Sequence, residues 1–201
     1  ELETLDYKSL TNSFNYNFRY QYTYKNPIFY IKHSSIGNKS SDYFHQLQRF
    51  KCDSINGPSA IRSWYNPKFR NVFLDSLWRM SDKAVSSSIL RKCLALSRYI
   101  APQFRPSAAK VVYEYFNAKN VLDFSMGWGD RLVAFHACEN TQSYFGIDPN
   151  ENLFEGYDNQ NEFYNTGKQT VFINAPAEEV DFPKNQFDLV FTSPPYYNIE
   201  R

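Results

Sequence analysis

The chain has 201 residues, enough for one domain or for one domain with an N-terminal annex. With 42% hydrophobic and 21% charged residues it is globular rather than disordered. No apolar run reaches membrane-spanning length, and no basic-then-apolar leader opens the chain, so an intracellular setting is expected.

A net charge of +1 hides a split. Residues 1–118 carry 17 basic and 8 acidic side chains, whereas residues 119–201 carry 5 and 13. A basic half predicts a polyanionic partner, nucleic acid foremost. Aromatics are heavy at 18%, with 16 Tyr, 18 Phe and 3 Trp. Cys52, Cys93 and Cys138 are too widely spaced for a disulfide framework or a zinc pattern, and fit a reducing compartment. His33, His45 and His136 are isolated, so no metal site is expected.

In chain order, Asn26–Ile31 reads as a short strand after a turn, and Ser34–Asp42 as a loop. Tyr43–Phe50 reads as a helix with Asp42 as its N-cap. After the Asn56-Gly57-Pro58 break, residues 69–80 place Val72, Phe73, Leu77 and Met80 at helical spacing. Residues 84–100 do the same with Ile89, Cys93, Leu96 and Ile100, and Ser86–Ser88 supplies a cap. Pro106 suits the first turn of a helix that runs to about Ala118, with Ala108, Val112, Tyr115 and Phe116 predicted on one face. Residues 1–100 thus form a basic, aromatic-rich, mostly helical region, and residues 101–201 form the core.

From residue 120 the texture becomes βαβαβ. Strands are predicted at 120–124, 143–148, 170–174 and 187–192, and helices at 130–138 and 151–164. Such a rhythm implies an α/β fold with a parallel sheet, and ligands bind beyond the carboxyl ends of its strands. After the first strand, Asp123-Phe124-Ser125-Met126-Gly127-Trp128-Gly129 gives a tight glycine turn into a helix N-terminus. After the second, Asp148 stands where a carboxylate accepts from two vicinal ribose hydroxyls. After the fourth, Ser193-Pro194-Pro195-Tyr196 stiffens the chain as it leaves the sheet. That turn presents fixed oxygen acceptors beside a flat ring, which suits a planar substrate with an exocyclic NH2 group.

These residues resemble the class I S-adenosylmethionine (SAM)-dependent methyltransferases, and within them the amino-methyltransferases of DNA bases. The resemblance rests on VLDFSMGWGD (121–130), GIDPN (146–150), TSPPYY (192–197) and FRPSAAK (104–110), and covers about residues 100–201. It implies a Rossmann-like sheet, SAM as cofactor and DNA as the expected partner, with RNA, a protein glutamine amide or a non-catalytic subunit role as the alternatives. By the same resemblance Asp123 lies near the cofactor amino group, Gly127 and Gly129 pass the cofactor, and Asp148 holds the ribose. Ser193 and Pro194 accept from the target amine, Pro195 completes the motif, and Tyr196 stacks on the flipped base. Ser125, itself a cofactor-binding candidate, Met126 and Trp128 depart from the usual loop and imply a tighter or differently lined pocket. Asn174 and Glu178 are the candidates for the contact near the adenine. The family fold continues for about three strands after this motif, so a partner chain or a further segment is expected to complete the sheet.

Overall fold

A computed structural model describes residues 2–5, 28–31, 35–53, 57–80, 85–97 and 100–194. Strands β1 (Leu2–Leu5) and β2 (Ile28–Ile31) pair antiparallel, with Leu2 opposite Ile31. Five helices follow among the described residues: α1 (Asn38–Phe44), α2 (Gln46–Lys51), α3 (Ala60–Tyr65), α4 (Pro67–Met80) and α5 (Ser87–Ser97). Helix α6 (Pro106–Tyr115) leads into β3 (Asn120–Asp123), α7 (Asp130–Ala137), β4 (Ser143–Asp148), α8 (Phe154–Tyr164), β5 (Gln169–Asn174) and β6 (Leu189–Val190). One 3-10 turn, Glu151–Leu153, opens α8, and another, Ala177–Glu179, follows β5.

The last four strands form one parallel sheet in the order β5-β4-β3-β6. The fold is α/β and Rossmann-like. The continuous apolar run Val121-Leu122 suits β3, which is paired on both edges and buried. From β3 the chain winds outward through β4 to β5, then returns to lay β6 on the opposite side of β3. The order therefore reverses between β3 and β6, and an open sheet leaves its ligand crevice there. Tyr113, Leu132, Phe135, Tyr144 and Tyr157 fill the core around this sheet, with Phe104, Trp128 and Phe191 packed against them.

Several sequence expectations need correction. Residues 38–42 are helical rather than a loop, and Asp42 sits inside α1 instead of capping a helix that starts at Tyr43. Its carboxylate is committed across helices, to Arg49 at 2.6 Å and to Arg91. Gly37, with φ of 90°, holds the N-cap position. The buried residues of α6 are Pro106, Ala109, Val111 and Tyr113, not Ala108, Val112, Tyr115 and Phe116. Ala109 lets the helix approach closely, while the Tyr113 hydroxyl donates to the Arg131 carbonyl at 3.3 Å, so a polar-tipped ring goes inside. The fourth strand, predicted at 187–192, is shorter: β6 is Leu189–Val190 and pairs with β3 among the described residues. Its pairing extends as single bonds from the Asp188 and Phe191 amides to the Asn120 and Leu122 carbonyls. The Ser86 hydroxyl accepts from the Ile89 amide at 3.3 Å, the cap the serine run predicts.

Residues N-terminal to the sheet are built into it. Helix α1 lies against α7 and α8: Ser41 meets Asp130, and His45 Nε2 meets Gln160 Oε1 at 3.1 Å. Burial pushes His45 down to about 4, so it is neutral at physiological pH.

Candidate active site

The turn after β3 is set by two left-handed glycines, Gly127 (φ 56°) and Gly129 (φ 69°). They do different work. A Cβ on Gly127 would meet nothing within 4 Å, so this glycine leaves open space above the turn. A Cβ on Gly129 would lie 2.1 Å from Gln160 Oε1, a buried side chain held by His45 and Ser40. Gly129 therefore serves packing. Gly129→Ala is expected to cost about 2–3 kcal/mol, and Gly127→Ala about 1 kcal/mol from backbone strain alone. Chemical denaturation of the two variants checks this, and equal losses would remove the distinction.

The other predicted residues surround this turn. Asp148 ends β4 beneath it, accepting from the Gly127 amide at 2.9 Å and from the Asn150 amide at 3.0 Å. Burial raises its pKa, and those two amides oppose the rise. Asn174 ends β5, where its side-chain amide donates to the Asp148 carbonyl at 3.1 Å. Glu178 is exposed beyond it. Asp123 lies under the turn and is 0% exposed. Its Oδ2 accepts from Arg131 Nε at 2.7 Å and from the Tyr144 hydroxyl at 2.6 Å. Its Oδ1 accepts from Arg131 Nη2 at 3.2 Å and from the Ser125 amide at 3.3 Å. Arg131 also donates to the Ser125 carbonyl, which locks the start of the turn.

Ser193 and Pro194 follow β6, and they share a cavity with the Gly127 turn. It measures about 140 Å³ and is also lined by Gln103, Phe104, Met126, Trp128, Asp130 and Arg131. This places the glycine turn and the start of the Ser-Pro-Pro turn on one concavity at the switch point between β3 and β6. The volume is small for a ligand site, whose lower range is about 300 Å³. Met126, fully buried against Gly146, and Trp128, packed on the core, take up room there. Pro195, Tyr196 and Tyr197 lie outside the described residues.

Sequence reasoning missed Asp130, Arg131 and Gln103 as lining residues. Asp130 opens α7 and is 2% exposed. Its Oδ1 accepts from the Ser41 hydroxyl at 2.7 Å, while its Oδ2 is buried without a hydrogen-bond partner among the described residues. Burial raises its pKa to about 7 against the opposing influence of Ser41, Arg49 and Arg131. The Phe104 amide also favours the charged form, without completing a hydrogen bond to Oδ2. The element FRPSAAK signalled Phe104, but nothing local to residue 130 marks it as more than a helix opener. Among the described residues no cluster of His, Cys, Asp and Glu could hold a metal ion, and no helix is long and apolar enough to cross a membrane.

Residues 121–200, from β3 through the Ser-Pro-Pro turn, match a family model described as a methyltransferase domain. That match supports a class I, SAM-dependent methyltransferase over this segment. Comparisons with curated proteins and with solved structures give no match.

Proposed function

We propose that the chain is a SAM-dependent methyltransferase acting on the exocyclic amino group of a base in DNA. The observation that carries this reading is the shared cavity, in which Ser193 and Pro194 face the same space as the open Gly127 turn. Residues suited to SAM are present around it. Gly127 offers a backbone cradle, Asp148 and Asn174 stand at the ends of the neighbouring strands, and the cavity holds a buried carboxylate oxygen without a hydrogen-bond partner among the described residues. When bound, SAM supplies an electrophilic methyl on a sulfonium.

The chain's own part is to prepare the acceptor. An exocyclic amine shares its lone pair with the ring and is a poor nucleophile until that pair is localised. The Ser193 hydroxyl and the Ser193 and Pro194 carbonyls are assigned as acceptors for the amine hydrogens. They draw the nitrogen toward tetrahedral geometry and stabilise the positive charge that develops on it. Proline rigidity fixes these oxygens before the substrate arrives. Tyr196, by its sequence position, is assigned the stacking face for a base out of the helix.

The DNA assignment draws on the basic half of the chain. Helix α4 exposes Lys68, Arg79 and Trp78, the last 87% exposed, and α5 exposes Lys92. These cations form no ion pair among the described residues and are assigned to phosphates, with aromatic side chains between them. A chain segment pairing with the outer edge of β6 belongs to the same reading. Among the described residues that strand pairs only with β3, and Val190 is 57% exposed.

Calorimetric titration of the full chain with SAM, then labelled-methyl transfer to DNA, RNA and a glutamine-bearing protein, tests the proposal. Saturable SAM binding and label in DNA amino groups are expected, with Ser193→Ala about tenfold slower, the worth of one neutral hydrogen bond. Label in RNA or protein would move the substrate class. Absence of SAM binding would leave a non-catalytic subunit.

A further inference from the structure

We propose that Asp130 anchors the ammonium group at the amino-acid end of the cofactor, and that Ser41 of α1 is its positioning residue. This inference rests on the SAM reading above. It differs from the expectation drawn from the resemblance, which gave the amino group to Asp123.

The argument is one of available valence. A cationic amine needs an anionic oxygen that is near the ligand and free to accept. Asp123 offers none: its two oxygens take four hydrogen bonds from Arg131, Tyr144 and Ser125. Asp148 is assigned to the ribose hydroxyls at the other end of the cofactor, and each of its carboxylate oxygens already holds a backbone amide. Arg131 lines the cavity, but its charge is spent on Asp123 and its remaining reach on the Ser125 carbonyl.

Asp130 is the exception. It lines the cavity, is almost fully buried, and keeps Oδ2 without a hydrogen-bond partner among the described residues. An unsatisfied buried carboxylate oxygen is costly and persists where a ligand or ion completes it. An ammonium supplies a donor to Oδ2 and a positive charge in addition to those of Arg49 and Arg131, and a charge-assisted bond of that kind is among the stronger polar contacts. The carboxyl also has a prepared orientation. The Ser41 hydroxyl donates to Oδ1, and Ser41 is itself held by Gln103 Nε2 at 2.6 Å. Ser41 is fully buried. Residues 41 and 103 lie outside the segment that matches the methyltransferase domain. The amino-acid end of the site would thus be built by α1 and the Pro102–Pro106 link, not by the matched segment alone.

The test compares two thioethers that differ only at this end, S-adenosylhomocysteine and 5′-methylthioadenosine, titrated calorimetrically into the full chain and its variants. Asp130→Asn is expected to weaken S-adenosylhomocysteine about 10- to 100-fold and to change 5′-methylthioadenosine by less than about twofold. Ser41→Ala should weaken the first ligand about three- to tenfold with the same selectivity. Thermal unfolding without ligand shows whether each variant is folded; if Asp130→Asn is not, Ser41→Ala carries the test by the same criterion. Equal loss for both ligands would mean a structural role and would overturn the assignment, as would unchanged affinity. If the unsubstituted chain binds neither ligand nor SAM, the cofactor reading itself fails, and this inference with it.

Discussion

Replacing Arg131 by Met is expected to lower the unfolding free energy by about 3–5 kcal/mol, the usual cost of removing one partner of a buried ion pair. Arg131 and Asp123 have side chains 3% and 0% exposed, with Nε 2.7 Å from Oδ2. Without the guanidinium, Asp123 keeps the Tyr144 hydroxyl and the Ser125 amide but loses its counter-charge in a site that water does not reach. The loss has a second component. Arg131 also holds the Ser125 carbonyl and touches the Phe104 ring, with its guanidinium carbon 5.3 Å from the centroid. Its removal therefore loosens the turn that opens the cavity. Urea denaturation gives the stability term, and SAM titration gives the site term. A double variant, Asp123→Asn with Arg131→Met, should lose less than the sum of the single losses, because no uncompensated charge stays buried. A loss below about 1 kcal/mol for Arg131→Met would show that the pair contributes little.

Parallel sheets make themselves visible because their strands are buried on both faces and read as short apolar runs. The strand predicted at 143–148 is found there, and that at 120–124 ends one residue earlier, at Asp123. The strand-end rule then placed Gly127, Asp148 and Ser193 together in the reading, and Gly127 and Ser193 do line one cavity. Two features escaped for physical reasons. On α6 the apolar count cannot tell which face is inside, because Tyr113 is buried through a hydroxyl bond to a carbonyl on another helix. Asp130 gains its meaning from Ser41, 89 residues earlier in the chain, and from an Oδ2 that completes no hydrogen bond among the described residues. Neither fact has a local signature. Helix α1 was missed for a related reason: its polar sequence Asn-Lys-Ser-Ser-Asp has no apolar period, and its stability comes from Ser40, Ser41 and Asp42 bonding to other elements.

Asp130→Asn is expected to stabilise the protein at and above neutral pH, by an amount that grows from pH 4 to pH 7 and then levels off. The sign follows from the direction of the shift. An unfolded aspartate titrates near 3.8, whereas burial raises Asp130 in the folded state to about 7. Between those values the folded chain holds a proton that the unfolded chain has released. Stability from this group is then present below 3.8 and lost as pH rises through 7. At about 1.36 kcal/mol per unit the whole interval is worth about 4 kcal/mol, which is a ceiling on the effect. The charges around the carboxyl, Arg49 and Arg131, pull the other way, as do the Ser41 hydroxyl and the Phe104 amide. Asparagine keeps the shape and the oxygen that accepts from Ser41, but never ionises. His45 and His136, both pushed down to about 4 by burial, add stability as pH rises through the same range. They do so equally in both proteins and cancel in the difference. Denaturant unfolding at pH 4, 5.5, 7 and 8.5 measures it, and parallel curves for the two proteins would contradict the expectation. A carboxylate that weakens the fold where it is charged, yet is held in place by a buried serine, answers to ligand binding rather than to stability. The same substitution should therefore raise the unfolding free energy while it lowers affinity for a ligand bearing an ammonium group.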